Sequence, residues 1–133
     1  MRFDKKLLDD LTRQAKENPR LRQNLDLRTS PADTSQRMLN ALEPETVVPI
    51  HRHNTTTETV AVIRGKIKQC MYDSEGNETE TFIAGPGEDC VGFSVPVGVW
   101  HRSISLESGT VILESKDGAF TPISKEEILE PQN

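Results

Sequence analysis

The chain has 133 residues, a formal net charge of −5 and two cysteines, so it is long enough for one domain with its own hydrophobic core and needs no disulfide framework. The acidic balance argues against a general nucleic-acid binder, because such proteins need a basic surface to displace counterions. No apolar run approaches the ~20 residues of a membrane span, and the first residues lack the apolar core of a signal peptide, so we expect a cytoplasmic protein without a membrane partner.

An amphipathic helix is predicted at the start of the chain. The apolar residues that recur there at helical spacing are Phe3, Leu7, Leu8, Leu11 and Ala15. The sequence ENP then ends the helix, because a proline disfavours helical backbone in the residue before it. We assign residues 1–20 to this N-terminal helix and the acidic residues 124–133 to a C-terminal tail that forms one loose helical turn.

Short strands separated by turn sequences are predicted from about residue 22 onward. The turn sequences include DSEGN, GPGE and PVG, and strands joined in this way are typical of a sandwich or barrel. The strands that flank DSEGN are expected to form a hairpin, as are those that flank Ser108 and Gly109. Cys70 and Cys90 lack a C-x-x-C spacing, so we expect two buried, reduced thiols.

All three histidines of the chain lie at plausible metal-ligand positions. If PIHRHNTTTE is extended, His51 and His53 share one side of the strand, and NTTT can turn the chain so that Glu58 returns level with them. The third histidine, His101, follows the PVG turn at the start of another strand. One such histidine alone is more often a polar residue at a strand end, but three histidines and a glutamate at these spacings favour a metal site.

The donor set restricts the metal but not its role. Three neutral imidazoles and a carboxylate suit Fe²⁺, Mn²⁺, Zn²⁺, Ni²⁺ or copper, and not Ca²⁺ or Mg²⁺, which prefer oxygen ligands. We therefore expect one divalent transition metal. An octahedral ion would keep two positions open for catalysis, whereas a tetrahedral zinc would be closed and structural.

Two segments resemble the sequence motifs of the cupins. The first motif, H-x-H-x(4)-E-x(6)-G, is matched at His51, His53, Glu58 and Gly65. The core of the second motif, P-x-G-x-x-H, is matched at Pro96, Gly98 and His101. The resemblance implies an all-β protein, a double-stranded β-helix jelly roll with a short N-terminal α-helix. Residues 21–123 would be the cupin β-barrel domain.

The rest of the chain resembles the WbuC family of cupin-fold metalloproteins. The segments that carry this resemblance are NPRLRQNLDLR, QRMLNALEPETVVPIHRH and VILESKDGAFTP, so it extends over nearly the whole chain. The resemblance implies that His51, His53, Glu58 and His101 hold the metal. It also implies that Lys116 matches a lysine of the family that can point at a ligand, although KDG is more often an ordinary turn.

Three early arginines are candidates for ligand binding. Arg20, Arg22 and Arg28 can gather at the barrel mouth, on a common face, and bind a phosphate or carboxylate. Equally, they can lie along a solvated strand edge. No residue is assigned a catalytic role from the sequence.

The sequence is interpreted as a metal-binding cupin whose ligand is an anionic or sugar-like small molecule. The first hypothesis is a metal-dependent isomerase or epimerase of a sugar or sugar nucleotide, related to surface polysaccharide, because the WbuC name comes from O-antigen gene clusters. The alternatives are an iron-dependent dioxygenase and a non-catalytic metal-binding or carbohydrate-binding module. We also expect a homodimer, because the unpaired segment LRQNLDLR needs a cover.

Overall fold

Two antiparallel sheets and one helix make up residues 1–129, the part of the chain that the computed structural model describes. The elements are α1 Lys5–Glu17, β1 Arg22–Asp26, β2 Ser35–Leu42, β3 Glu58–Arg64, β4 Ile67–Tyr72, β5 Glu78–Ala84, β6 Gly92–Val95, β7 Trp100–Ser105, β8 Thr110–Asp117 and a 3₁₀ turn at Lys125–Glu127. A five-stranded sheet has the order β1-β2-β8-β3-β6, and a three-stranded sheet has the order β5-β4-β7. The all-β jelly roll with one short N-terminal helix that the sequence predicted is confirmed.

Helix α1 begins and ends where its sequence allows. Asp4 caps it by accepting a hydrogen bond from the Leu7 backbone N–H at 3.0 Å, and the backbone turns extended at Asn18, the residue before the proline. The buried side of the helix packs on the outer face of the five-stranded sheet, where the cluster contains Leu8, Leu11, Ala15, Leu39, Ala41 and Val111. No helix within residues 1–129 is long and apolar enough to cross a membrane.

The five-stranded sheet has two different faces because side chains alternate along each strand. On β2, Leu39 and Ala41 pack under α1, while Asn40 and Leu42 point into the barrel. A second apolar cluster closes part of the barrel interior and contains Leu42, Val60, Val62, Ile67, Ala84 and Ile112. The rest of the inner face carries polar side chains, so the barrel is packed in one part and hollow in another.

One of the two predicted hairpins is confirmed and the other is wrong. Strands β4 and β5 pair across DSEGN, with the register running from Ile67 opposite Ala84. By contrast, β7 pairs with β4 in the three-stranded sheet, whereas β8 lies between β2 and β3 in the five-stranded sheet. The connection crosses between the sheets because buried Glu43 accepts hydrogen bonds from Ser108 Oγ and the Gly109 backbone N–H.

The described part of the C-terminal tail is hydrogen-bonded to residues 50–53, the histidine segment, which carries His51 and His53. Its single 3₁₀ turn matches the predicted helical turn, and residues 130–133 of the predicted tail lie outside the described residues. The Leu129 backbone N–H donates to the Ile50 carbonyl at 2.8 Å, and the Arg52 N–H donates to the Glu127 carbonyl at 2.9 Å. The tail therefore pairs with the chain on which the first two histidines stand, which the sequence did not indicate.

The two cysteines are free thiols in different environments. Cys70 is buried against Tyr72 and Trp100 on the outer side of the three-stranded sheet. Cys90 is only half-buried, so the expectation of two buried thiols is correct for Cys70 alone.

Candidate metal centre

A cavity of about 450 Å³ lies inside the barrel, at the end where the three histidines stand. Its walls are the inner faces of β1, β2, β3, β7 and β8, together with the segments around residues 48–56 and 119–123. A volume in this range suits a small-molecule ligand and exceeds the space that one metal ion needs.

The three histidine rings come together at the end of this cavity. Their centroids are 4.3 Å apart for His51 and His101, 5.1 Å for His51 and His53, and 5.3 Å for His53 and His101. One ring nitrogen from each histidine lies within 4.8 Å of the others. This spacing allows three imidazoles to hold one metal ion.

Backbone pairing fixes the histidines in these positions. His51 and His101 exchange both backbone hydrogen bonds, at 3.0 and 2.8 Å, and the His53 carbonyl accepts from the Gly98 backbone N–H at 2.8 Å. The histidine segment thus pairs with β7 and the tail, while β3 pairs with β6 and β8. Glu58, the first residue of β3, nevertheless reaches the histidines, as the sequence predicted.

Hydrogen bonds at Nδ1 determine the tautomer of two of the rings. His51 Nδ1 lies 2.8 Å from the Pro49 carbonyl, and His101 Nδ1 lies 2.8 Å from the Val99 carbonyl. A carbonyl can only accept, so each Nδ1 carries the proton and each Nε2 keeps its lone pair. The same arrangement orients metal-binding histidines in other proteins.

The Nε2 atom of His101 is buried without a hydrogen-bond partner among the described residues. Buried polar atoms normally have one, so this atom needs an explanation. It faces Glu58, whose carboxylate oxygens lie 3.9 Å from His101 Nε2 and 3.0 Å from His53 Nε2, within hydrogen-bonding distance of His53. The donor set and the unpartnered nitrogen of His101 fit a divalent transition metal between the imidazoles and the carboxylate.

Burial and charge keep these groups in the protonation states that a metal requires. Burial lowers the pKa of His51 to about 4 and also lowers the pKa of His101, so both rings are neutral near pH 7. Burial acts to raise the pKa of Glu58, but the contact with His53 and the nearby His101 and Lys116 outweigh it and lower the pKa to about 2. Glu58 is therefore a carboxylate.

Lys116 lies in the cavity wall and not in a turn. It belongs to β8, directly opposite Glu58 of β3, and its ammonium nitrogen lies 3.7 Å from Glu58 Oε2. The interpretation of KDG as an ordinary turn is thus wrong for Lys116, because β8 continues through Asp117. The lysine adds a positive charge beside the histidines.

The three candidate arginines do not share one position. Arg20 and Arg22 line the cavity, but Arg28 is not among its described lining residues. The Arg28 guanidinium binds the Asp26 carboxylate at 2.8 Å and lies 5.6 Å from the centre of the Phe120 ring. The predicted common face is wrong for Arg28, because β1 ends at Asp26, whose carboxylate holds the guanidinium outside.

Two polar residues of the cavity wall were missed by the sequence reasoning. Glu114 lies on β8 and Asn40 on β2, and both point into the cavity. A signal for Glu114 was available, because it lies two positions before Lys116 and strand alternation puts both on one face. The sequence around Asn40 contains no comparable indication that its side chain lines the cavity.

The chain has the cupin fold, which it shares with several solved structures. KdgF from Halomonas sp. matches with a TM-score of 0.60 and 17% identity, over 76% of this chain and 82% of that one. Oxalate oxidase in complex with glycolate matches with a TM-score of 0.64 and 17% identity, over 80% of this chain and 56% of that one. The capsular polysaccharide assembling protein CapF from Staphylococcus aureus matches with a TM-score of 0.65 and 22% identity, over 79% and 30%.

The family is also shown by the sequence. The model of the family described as Domain of unknown function (DUF6016) matches residues 3–84, and the chain belongs to that family. No curated protein matches the sequence. The structural matches establish the cupin fold, and the chain spans 56% of the oxalate oxidase and 30% of CapF.

The buried neutral histidines predict a pH dependence of stability in the metal-free protein. The pKa of His51 is about 4 when folded and about 6.5 when unfolded, so the unfolded chain binds the proton first as the pH falls. The free energy of unfolding should decrease from about pH 6.5 to about pH 4, by at most ~1.4 kcal/mol per pH unit for one histidine. Urea unfolding at a series of pH values measures it.

The control for this prediction is the His51→Gln variant. It should lose part of the slope in that window, and metal-loaded wild-type protein should show a steeper slope because protons also compete for the metal ligands. Identical slopes in the three samples would contradict the account.

Proposed function

We propose that this protein is a metal-dependent cupin enzyme that acts on a small polyhydroxylated anion, a sugar or sugar nucleotide. The observation that carries the proposal is that the histidine cluster opens into a cavity of about 450 Å³ instead of being sealed inside the core. A purely structural metal site has no need for such a space. A divalent metal would make the cavity positive, because its lining balances three basic against three acidic side chains: Arg20, Arg22, Lys116, Glu58, Glu114 and Glu127.

The proposed metal ligands are His51, His53, Glu58 and His101. The unpartnered Nε2 atom of His101 and the ionised Glu58 support this set. A divalent ion such as Fe²⁺, Zn²⁺, Mn²⁺ or Ni²⁺ would polarise an oxygen group of the substrate. The chain itself would orient the substrate, with Lys116 beside the carboxylate of Glu58 and the two arginines farther out.

The link to surface polysaccharide is part of the same proposal. The WbuC-like segments and the structural similarity to CapF, a capsular polysaccharide assembling protein, both favour it. An iron-dependent oxygenase is the second candidate, favoured by the similarity to oxalate oxidase in complex with glycolate, a small organic anion. Oxygen uptake that requires iron and a small carboxylate would favour the second candidate over the first.

Replacing the histidines should remove the metal. We expect about one divalent metal per chain in wild-type protein, and a loss of affinity of more than about 100-fold in His51→Ala, His53→Ala and His101→Ala, since even the outer partners of ligands contribute 10-fold to 100-fold. Elemental analysis after dialysis against a weak chelator measures the occupancy. The matched pair is Glu58→Gln, which should lose metal, and Glu80→Gln on exposed β5, which should not. Full occupancy in the histidine variants would exclude the site.

The arginines allow a matched test of anion binding. Calorimetric titration of metal-loaded protein with sugar phosphates, sugar nucleotides and small dicarboxylates should find a ligand, and the Arg20→Ala, Arg22→Ala double variant should bind it about 10-fold more weakly. Arg28→Ala should bind within about 2-fold of wild type, because Arg28 is held by Asp26 outside the cavity. Equal losses in the two variants would contradict the assignment.

We also propose a homodimer. Strand β1 is at the edge of the five-stranded sheet and pairs with β2 on one side only among the described residues, so its other edge is open to a second copy. Light scattering at tens of micromolar should give twice the mass of one chain. A monomer at that concentration would contradict the proposal.

A further inference from the structure

Glu114 stands beside the candidate metal ligands without being one of them. Strand β8 lies against β3 so that Lys116 is opposite Glu58 and Glu114 is opposite Val60. Glu114 and Glu58 are therefore diagonal neighbours on the same face of the sheet, with backbones about 7–8 Å apart. Both side chains also line the cavity, so a ligand there can contact the Glu114 carboxyl and the metal site together.

Glu114 differs from the other two carboxyl groups that line the cavity. Glu58 contacts His53 and Lys116, and Glu127 accepts hydrogen bonds from the backbone N–H groups of Asn54 and Ser124. Glu114 forms no ion pair within the described part of the chain, although Lys116 lies two residues away on the same strand. Asn40 is its hydrogen-bonding neighbour, but no charged side chain occupies its carboxyl, which can therefore contact a ligand.

The surroundings of Glu114 favour proton exchange near neutral pH. Burial raises the pKa of Glu114 most, and the charge of Glu58 raises it further, while Lys116 and Asn40 lower it, so that the pKa is about 7. A group with a pKa near the working pH can both take up and release a proton in one reaction cycle.

A neighbouring atom supports a ligand at this position. Asn40 Oδ1 is buried and has no hydrogen-bond partner among the described residues. Asn40 also lines the cavity, on the strand beside β8. A hydroxyl group of a bound ligand would supply the missing donor.

We infer that Glu114 is the catalytic residue that moves a proton at a carbon atom next to a carbonyl group of the bound sugar, which makes the reaction an isomerisation. This inference rests on the proposed function. The C–H bond breaks, the proton passes to a carboxylate oxygen of Glu114, and the electron pair moves into the carbon–carbon–oxygen unit to form an enolate. Glu114 then returns the proton, on the same face of the enolate, to the former carbonyl carbon, while the hydroxyl proton of the first carbon passes to the former carbonyl oxygen. The step therefore needs no oxidant or reductant.

The test follows hydrogen exchange with solvent. Metal-loaded protein is incubated in D₂O with glucose 6-phosphate, fructose 6-phosphate, glucuronate and galacturonate, which are polyhydroxylated anions with a carbonyl group in their open form. Nuclear magnetic resonance should detect deuterium at the carbon next to that carbonyl with at least one probe. Glu114→Gln should lower this exchange by at least about 100-fold, the usual contribution of a positioned acid or base.

Further measurements separate this role from a structural one. Glu114→Gln should keep full metal occupancy and bind the same probe within about 3-fold of wild type, Glu114→Asp should recover part of the exchange, and Glu80→Gln should exchange at the wild-type rate. In metal-free protein, one ¹³C-labelled glutamate carboxyl should titrate near neutral pH and be missing from Glu114→Gln. A Glu114 carboxyl that remains charged down to pH 5 would overturn the inference.

Other outcomes distinguish failure of the role of Glu114 from failure of the proposed function. Probe binding without exchange in wild-type protein, or unchanged exchange in Glu114→Gln, would overturn the role of Glu114 while the proposed function stands. If none of the probes binds to metal-loaded protein, the proposed ligand class fails and the inference fails with it.

Discussion

Three imidazole rings and one carboxylate are held together at the buried end of a barrel, and this requirement governs the structure around them. Removing a carboxylate from water costs several kcal/mol unless partners replace the lost hydration. Glu58 has such partners in His53 and Lys116. An imidazole must be neutral to bind a metal, and burial away from water disfavours the charged form of His51 and His101.

The local backbone also fixes the tautomer and the position of the histidine rings. The carbonyl groups of Pro49 and Val99 each lie two residues before the histidine that they contact, so the tautomer of each ring is determined by its own segment of chain. The paired backbones of His51 and His101 then fix one ring against the other. The C-terminal tail adds a further set of backbone bonds to the histidine segment, at Ile50 and Arg52. The site is thus held by strand pairing more than by side-chain packing.

Side-chain periodicity and motif spacing determine how much of the protein could be predicted from its sequence. The helix, the β-rich remainder and the convergence of His51, His53, Glu58 and His101 followed from periodicity and motif spacing, because these depend on near neighbours in the chain. The false β7–β8 hairpin and the position of Arg28 depended on contacts with Glu43 and Asp26, which local sequence does not reveal. Glu114 was missed for another reason: its significance depends on the register between β8 and β3.

X-ray absorption spectroscopy of the metal-loaded protein tests the central claim most directly, namely that the histidines and Glu58 hold one metal that faces an open cavity. We expect scattering from three imidazole rings and one carboxylate, and a change in the remaining coordination when a ligand of the cavity is added. Sulfur scattering from Cys70 or Cys90, fewer than three imidazoles, or a four-coordinate shell that no added anion alters would contradict it.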